Sequence, residues 1–485
     1  MSILSIPKVY YNWSMGRRSI LILFGILLLG LLIRVYKIES LPMYGDELTM
    51  VYDTYSISKT GMDATGQKLP LTFKMGAGRP GGYIYFSVPF VYLFGPTVWG
   101  VRTLSLLSGL GIIVLMYFLG KKLFSEKVGL IASLLAAISP WDIYLSRGGF
   151  EAHFALFLAL LGITAFLYRK YIFWAIAWGL AILSYPTFKL TLPLMFLLLI
   201  WFSGFRKTIK EKFLIFGLVV LLFFGGLVLR ETFMAGSEQR FLSINVFSDE
   251  KVKQSIIQSI NYERTVSTLP GIVKPLFINR EIEYSRMLLE DYIENISPNF
   301  LFLRGDGNPR HNPGEMGMLF LVELPLIIIG LVFLCREKKK ESILIVLWIL
   351  ITPLATMLLS QTHGLRNNLM LPPLILITSF ALTKIPKKYV YFAGTLMAIQ
   401  LIYILVRVYS IAPAKFASFW SAGAKKVALD AFSAQREGQK VTLYVNEIDN
   451  IEYAYEVYTK LDPKEVISQY GKPSKIYGNV IITDK

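Results

Sequence analysis

The chain has 485 residues, of which 54% are hydrophobic and 17% charged, with a mean hydropathy of +0.52. Soluble domains average roughly 25% charged residues, so a string of soluble domains is excluded, and with it disorder, collagen and coiled coil. The formal net charge of +17 sits mainly in short basic runs between apolar segments, the pattern that orients a membrane protein rather than one that binds nucleic acid.

A helix needs ~20 apolar residues to cross the hydrocarbon core. The apolar runs place spans near 19–36, 101–119, 128–145, 152–168, 171–185, 187–203, 213–229, 317–334, 342–359, 367–383 and 388–409. The fold class expected is therefore an all-α polytopic membrane protein. No small-residue cleavage site follows the first run, so it reads as a span and not as a signal peptide. The stretch 83–94 is short and punctuated by Pro80, Pro89 and Pro96, and reads as an interfacial or re-entrant piece. Basic clusters such as Lys121, Lys122 and Lys127, or Lys338, Lys339 and Lys340, fall on short loops of one side, which the positive-inside rule makes cytoplasmic. Three longer pieces then lie outside: 37–100, 230–316 and 410–485. Residues 1–410 form one transmembrane module and 411–485 a small extracytoplasmic α/β domain, with an amphipathic helix over 416–436, Trp420 suited to the interface, and strands at 441–445 and 480–483. The single cysteine, Cys335, permits no intramolecular disulfide, in keeping with a bacterial or archaeal inner membrane.

In the first outer loop, Leu41-Pro42-Met43-Tyr44-Gly45-Asp46-Glu47 precedes Leu48, Val51, Tyr52 and Tyr55, spaced as an apolar helix face and ended by Gly61. This predicts an amphipathic helix on the membrane surface, with Asp46 either its N-cap or a general base. Four more outer loops carry cations beside turn residues: Ser146-Arg147-Gly148-Gly149-Phe150-Glu151-Ala152-His153, Tyr185–Lys189, Arg304–His311, and Gln361-Thr362-His363-Gly364-Leu365-Arg366. Ionisable groups at the ends of packed spans face an interior cavity more often than lipid. Arginine, lysine and histidine in such a cavity suit a phosphate or diphosphate. Glu323, inside the eighth expected span, needs a partner there, and Arg34 is one candidate.

Pro42–Glu47, followed by Thr60-Gly61-Met62-Asp63 and Gly66-Gln67-Lys68-Leu69-Pro70, resembles the first-loop signature of bacterial membrane glycosyltransferases of the protein-mannosyltransferase type. These belong to the GT-C superfamily, with the lipid A aminoarabinose transferases as relatives. Ser146–Ala152, Gly305–His311 and Gln361–Arg366 are similar to further motifs of this group. The resemblance implies transfer of a hexosyl or pentosyl group from a polyprenyl-phosphate donor to a glycan, lipid or protein hydroxyl. Transfer would invert the anomeric carbon and take place at the outer face of the plasma membrane.

On that resemblance Asp46 matches the first-loop catalytic aspartate, with Glu47 beside it, and Glu151 matches the second acidic residue. Arg79-Pro80 falls where aminoarabinose transferases carry a Lys-Pro pair that touches the lipid phosphate. Gly78 stands where those relatives have an acidic residue, so their metal site does not carry over and a divalent metal stays open. Arg79, Arg147, Lys189, Arg310, His311, His363 and Arg366 compete for the donor phosphate. The alternative is a transporter or flippase of a polyprenyl-linked or anionic lipid. It would need a cavity that also opens to the cytoplasmic side, whose loops carry no histidine and few carboxylates, and the sequence shows no internal repeat.

Overall fold

The computed structural model describes residues 15–75, 78–234, 246–359 and 362–484; Gln361 of the fifth loop lies outside them. The first half runs α1 (Arg17–Val35), α2 (Gly45–Thr60), the short strands β1 (Thr72–Phe73) and β2 (Arg79–Pro80), α3 (Gly82–Phe94), α4 (Val98–Leu123), α5 (Glu126–Ile138), α6 (Pro140–Leu145), α7 (Glu151–Leu167), α8 (Tyr171–Ile182) and α9 (Phe188–Ser203). Helices Lys212–Met234, Glu323–Glu337, Lys339–Ile351, Leu371–Lys384 and Lys387–Val406 follow in the second half. A helix thus stands at each expected span. Among the described residues five helices are long and apolar enough to cross a membrane by length and composition, Val98–Leu123 and Lys387–Lys415 included, and there are shorter apolar helices besides. The protein is a multi-pass membrane protein.

Local chemistry sets the joints. Thr97 caps α4 by accepting from the Gly100 N–H, and Ser125 caps α5 by accepting from the Val128 N–H. The α4–α5 turn brings backbone against backbone: a Cβ on Gly120 would meet the Gly129 Cα at 2.8 Å, and one on Gly129 would meet the Tyr117 carbonyl oxygen at 2.4 Å. The run expected as one span over 128–145 breaks into α5 and α6, because Pro140 has no N–H to continue the ladder and Ser139 starts a new helix there. The α3 helix has 13 residues with Pro89 inside it, too short to cross, and packs on α2 and α4. The helix at the eighth expected span begins at Glu323 and not at 317. Its approach is irregular, with the Leu319 N–H donating to the Leu301 carbonyl at 2.8 Å.

The first-loop helix differs most from expectation. Instead of floating on the surface, α2 is enclosed, with Leu48, Val51, Tyr52, Asp53, Thr54 and Ser56 all buried. One side packs on α3, the other on helices Ile451–Tyr458 and Pro463–Gln469 from the C-terminal part of the chain. That part folds as helix Ala422–Arg436, the helices just named, and a three-stranded sheet of β3 (Val441–Tyr444), β4 (Ser474–Tyr477) and β5 (Val480–Thr483). The order is β3-β5-β4, β5 lying parallel to β3 and antiparallel to β4. Trp420 is buried rather than interfacial, its ring edge-on to Tyr44 at 5.2 Å.

Candidate active site

The N-terminus of α2 decides what Asp46 is free to do. The N-cap is Tyr44, and the helix starts at Gly45, so Asp46 sits inside the first turn. Capping falls to Glu47, whose Oε2 accepts from the Tyr44 N–H at 3.3 Å. Glu47 is also fully buried and forked by Arg102, with Nε–Oε1 at 2.7 Å and Nη2–Oε2 at 2.8 Å, and it accepts from the Gly149 N–H at 2.6 Å. The sequence reading grouped Glu47 with the catalytic acids. Its geometry instead makes it the tie between the first loop, α4 and the loop before α7, with both oxygens engaged.

Asp46 is the open carboxylate. Its side chain is 44% exposed, and Oδ1 lies 3.0 Å from Arg79 Nη2. Arg79 is buried at the end of β2, where it also donates to the Asp46 carbonyl at 3.0 Å, and its Nε lies 3.8 Å from Glu151 Oε1. Burial works against the Arg79 charge, but the carboxylates of Glu151 and Asp46 more than offset it, so the guanidinium is held ionised. The structure thus brings Asp46 and Arg79, from two parts of the first outer loop, together with Glu151 at the start of α7.

The remaining cations divide. Arg147 is buried and donates to the carbonyls of Arg34 at 2.7 Å, Tyr36 at 2.6 Å and Lys37 at 2.9 Å. The expectation of a phosphate role does not fit this placement, since its fork is consumed in closing the C-terminus of α1. Arg310 lies over the Tyr44 ring at 5.3 Å and donates through Nε to the Phe419 carbonyl at 2.7 Å. Lys189 stands exposed in the first turn of α9. Arg366 is half-buried beside His363, with no carboxylate partner among the described residues. Arg34 pairs with Asp142 at 2.5 Å, not with Glu323, whose Oε2 accepts from the Phe320 N–H at 2.9 Å.

His311 and His363 meet, but around a residue that sequence reasoning did not single out. Asp306 Oδ2 accepts from His311 Nδ1 at 2.9 Å and from the Gly364 N–H at 2.6 Å, and lies 3.9 Å from His363 Nδ1. The two imidazoles are 4.4 Å apart. Burial, then His311 and Arg366, push the His363 imidazole well below its ordinary range. Burial alone would raise Asp306, yet the hydrogen bond from His311 and the two imidazoles bring it below the usual carboxylate range. One ligand atom from each of Asp306, His311 and His363 lies within 4.8 Å of the others, a two-histidine, one-carboxylate set that fits a divalent cation. Phe150 links the two clusters, edge-on to His311 at 5.7 Å and tilted on Tyr44 at 5.8 Å. The signal available in the sequence was the Gly-Asp-Gly-Asn-Pro turn immediately before Arg310-His311.

Residues 79–227 match the family model of dolichyl-phosphate-mannose-protein mannosyltransferases. No curated protein sequence matches the chain. Among solved structures it is similar to ArnT from Cupriavidus metallidurans bound to undecaprenyl phosphate, at 12% identity and a TM-score of 0.55, covering 92% of this chain and 85% of that one. It is also similar to the archaeal oligosaccharyltransferase AglB from Archaeoglobus fulgidus in complex with an inhibitory peptide and a dolichol-phosphate. There the identity is 14% and the TM-score 0.50, over 92% of this chain and 64% of AglB, so the chain spans under two thirds of that protein's length. The chain has the GT-C architecture and resembles the protein-mannosyltransferase and aminoarabinose-transferase branches of that superfamily.

Proposed function

We propose that the protein is a membrane glycosyltransferase that moves a sugar from a polyprenyl-phosphate donor to a hydroxyl acceptor, with inversion, at the extracytoplasmic face. The observation that carries this reading is the half-exposed Asp46 carboxylate beside buried Arg79 and Glu151, with Arg310 lying over the ring of the neighbouring Tyr44. Supporting it, the matched family is named for a dolichyl-phosphate donor, and the similar ArnT and AglB structures hold undecaprenyl phosphate and dolichol-phosphate.

In the proposed step the acceptor oxygen attacks the anomeric carbon as its proton passes to Asp46. The carbon–oxygen bond to the lipid phosphate breaks on the opposite face, and the electron pair leaves with the phosphate. Arg79 and Glu151 orient the base and the sugar. Arg310, Arg366 and Lys189 oppose the charge that develops on the leaving phosphate, which is where such groups lower a barrier. A divalent cation held by Asp306, His311 and His363 would add Lewis-acid charge to the same site.

Two measurements test the reading. Mass spectrometry of lipids bound to the purified protein should find polyprenyl phosphates, and incubation with a polyprenyl-phosphate sugar and acceptor should give glycosylated product; bound lipid without product would favour the flippase. For orientation, in a Cys335→Ser background, Lys464→Cys should react with an impermeant thiol reagent in intact cells and Lys340→Cys should not. The reverse pattern would overturn the outer-face assignment.

A further inference from the structure

Helices Glu250–Val266 and Arg280–Glu294 pack on each other through Ile256, Ile260, Ile278 and Tyr284, a small core separate from the main one. Their base is tied to the bundle: the Tyr292 hydroxyl donates to the Leu350 carbonyl at 2.8 Å, at the end of helix Lys339–Ile351, and Asn367 Nδ2 donates to Asn295 Oδ1. The hairpin is therefore rooted at the end of a span. At ~1.5 Å per helical residue its tip reaches about 25 Å from that root.

The tip is apolar and uncovered. Ile272 is 91% exposed, Leu276 68% and Phe277 62%, and Tyr262, Val266 and Leu269 are exposed beside them. Patches of this kind on a soluble surface mark a place that something else covers. The tip is also built and not merely loose chain: Arg264 Nε donates to the Ile278 carbonyl at 2.9 Å, and Lys274 Nζ to the Arg264 carbonyl at 2.6 Å. Between 264 and 280 the sequence holds Arg264, Lys274 and Arg280 and no acidic residue. Apolar side chains projecting from a basic, acid-free segment complement an anionic lipid surface. The root at a span end sets that surface within reach.

We propose that residues 264–277 are an interfacial anchor, inserting Ile272, Leu276 and Phe277 among the acyl chains of the adjacent leaflet while the cations meet lipid phosphates. The segment between the seventh and eighth spans is then partly a membrane element. This assignment is independent of the transfer chemistry.

The test uses the full-length protein in a Cys335→Ser background, with an environment-sensitive fluorophore on Ile272→Cys and, as a control, on Gln258→Cys, an exposed position midway along the first helix. In nanodiscs of phosphatidylglycerol and phosphatidylethanolamine, spin-labelled lipid should quench the Ile272 label several-fold more than the Gln258 label, and aqueous iodide should do the opposite. Exchanging phosphatidylglycerol for phosphatidylcholine should weaken the lipid quenching. Equal iodide quenching at both positions would overturn the anchor, as would a label at 272 shielded from both quenchers, which would assign the tip to a protein contact.

Discussion

Two clusters in this molecule have nearly the same composition and opposite surroundings. Arg34, Asp142 and His153 are completely buried, with Arg34 Nη1 also donating to the Ala137 carbonyl at 2.8 Å and His153 Nε2 lying 2.9 Å from Asp142 Oδ1. Asp46, Arg79 and Glu151 repeat the acid–arginine theme, but there the aspartate opens to solvent. In the first cluster every charge is answered by a neighbour, and the result is a weld between α1, α6 and α7. In the second one carboxylate is left facing outward, where a substrate can reach it. A charged constellation therefore marks chemistry only where one member remains accessible.

The sharpest way to break this comparison is Asp46→Asn, which keeps the size and removes the proton acceptor. Transfer should fall by roughly 10²–10⁴-fold with the fold intact, measured as product from a polyprenyl-phosphate sugar; unchanged rates would remove Asp46 from catalysis. The converse change is Asp142→Asn, which leaves Arg34 buried without its charge partner. Removing one member of a buried pair costs about 3–5 kcal/mol, so this variant should show a large drop in thermal stability, and an unaltered melting temperature would mean that the cluster is not a weld.

Less drastic are Arg310→Lys and Arg366→Lys, which keep the charge but lose the planar fork that holds a phosphate through two hydrogen bonds. Each should weaken use of the lipid donor several-fold, read as a rise in donor KM, and wild-type values from both would shift the phosphate role to Arg79 and Lys189.

The smallest effect on transfer should come from the enclosed flank of α2. Burial pushes the Asp53 carboxyl up to about 7 despite the hydrogen bond from the Ala64 N–H. Folded protein therefore keeps a proton that unfolded chain releases near pH 4, so this contribution to stability is full below about pH 4 and lost as the pH rises toward about 7. Thermal stability should decline across that window, and Asp53→Asn should flatten the decline; an unchanged slope in the variant would show that Asp53 does not cause it.

The membrane-spanning part was legible because lipid demands apolar runs of fixed length, and such runs are visible one residue at a time. Asp46 and Glu151 were legible as turn-flanked charges on two outer loops, and Arg79 through the family resemblance, although nothing in the sequence said that they meet. The enclosure of α2 was hidden, since Leu48, Val51, Tyr52 and Tyr55 keep the same spacing whether lipid or protein covers them. Arg102 and Glu47 are 55 residues apart, and Arg102 lies within an apolar run, so their fork had no local signal. Trp420 looked like an interfacial residue because tryptophan suits both a bilayer edge and an aromatic stack. Arg147 had the composition of a phosphate ligand and the position of a helix closer.

The contacts that enclose α2 set the order in which the protein becomes complete. The Tyr458 hydroxyl accepts from the Met43 N–H across 415 residues, and the Tyr52 hydroxyl donates to the Leu461 carbonyl across 409. A Cβ on Gly45 would come within 2.4 Å of Asn450 Oδ1, so the last part of the chain closes directly against the residue preceding Asp46. During synthesis the spans can insert one after another, but this closure waits until residues 450–461 have emerged and folded back onto the first loop. Contacts of such separation form late. A half-made bundle sits in the membrane with its first loop uncovered, and the candidate site acquires its final shape only once residues 450–461 have closed on it.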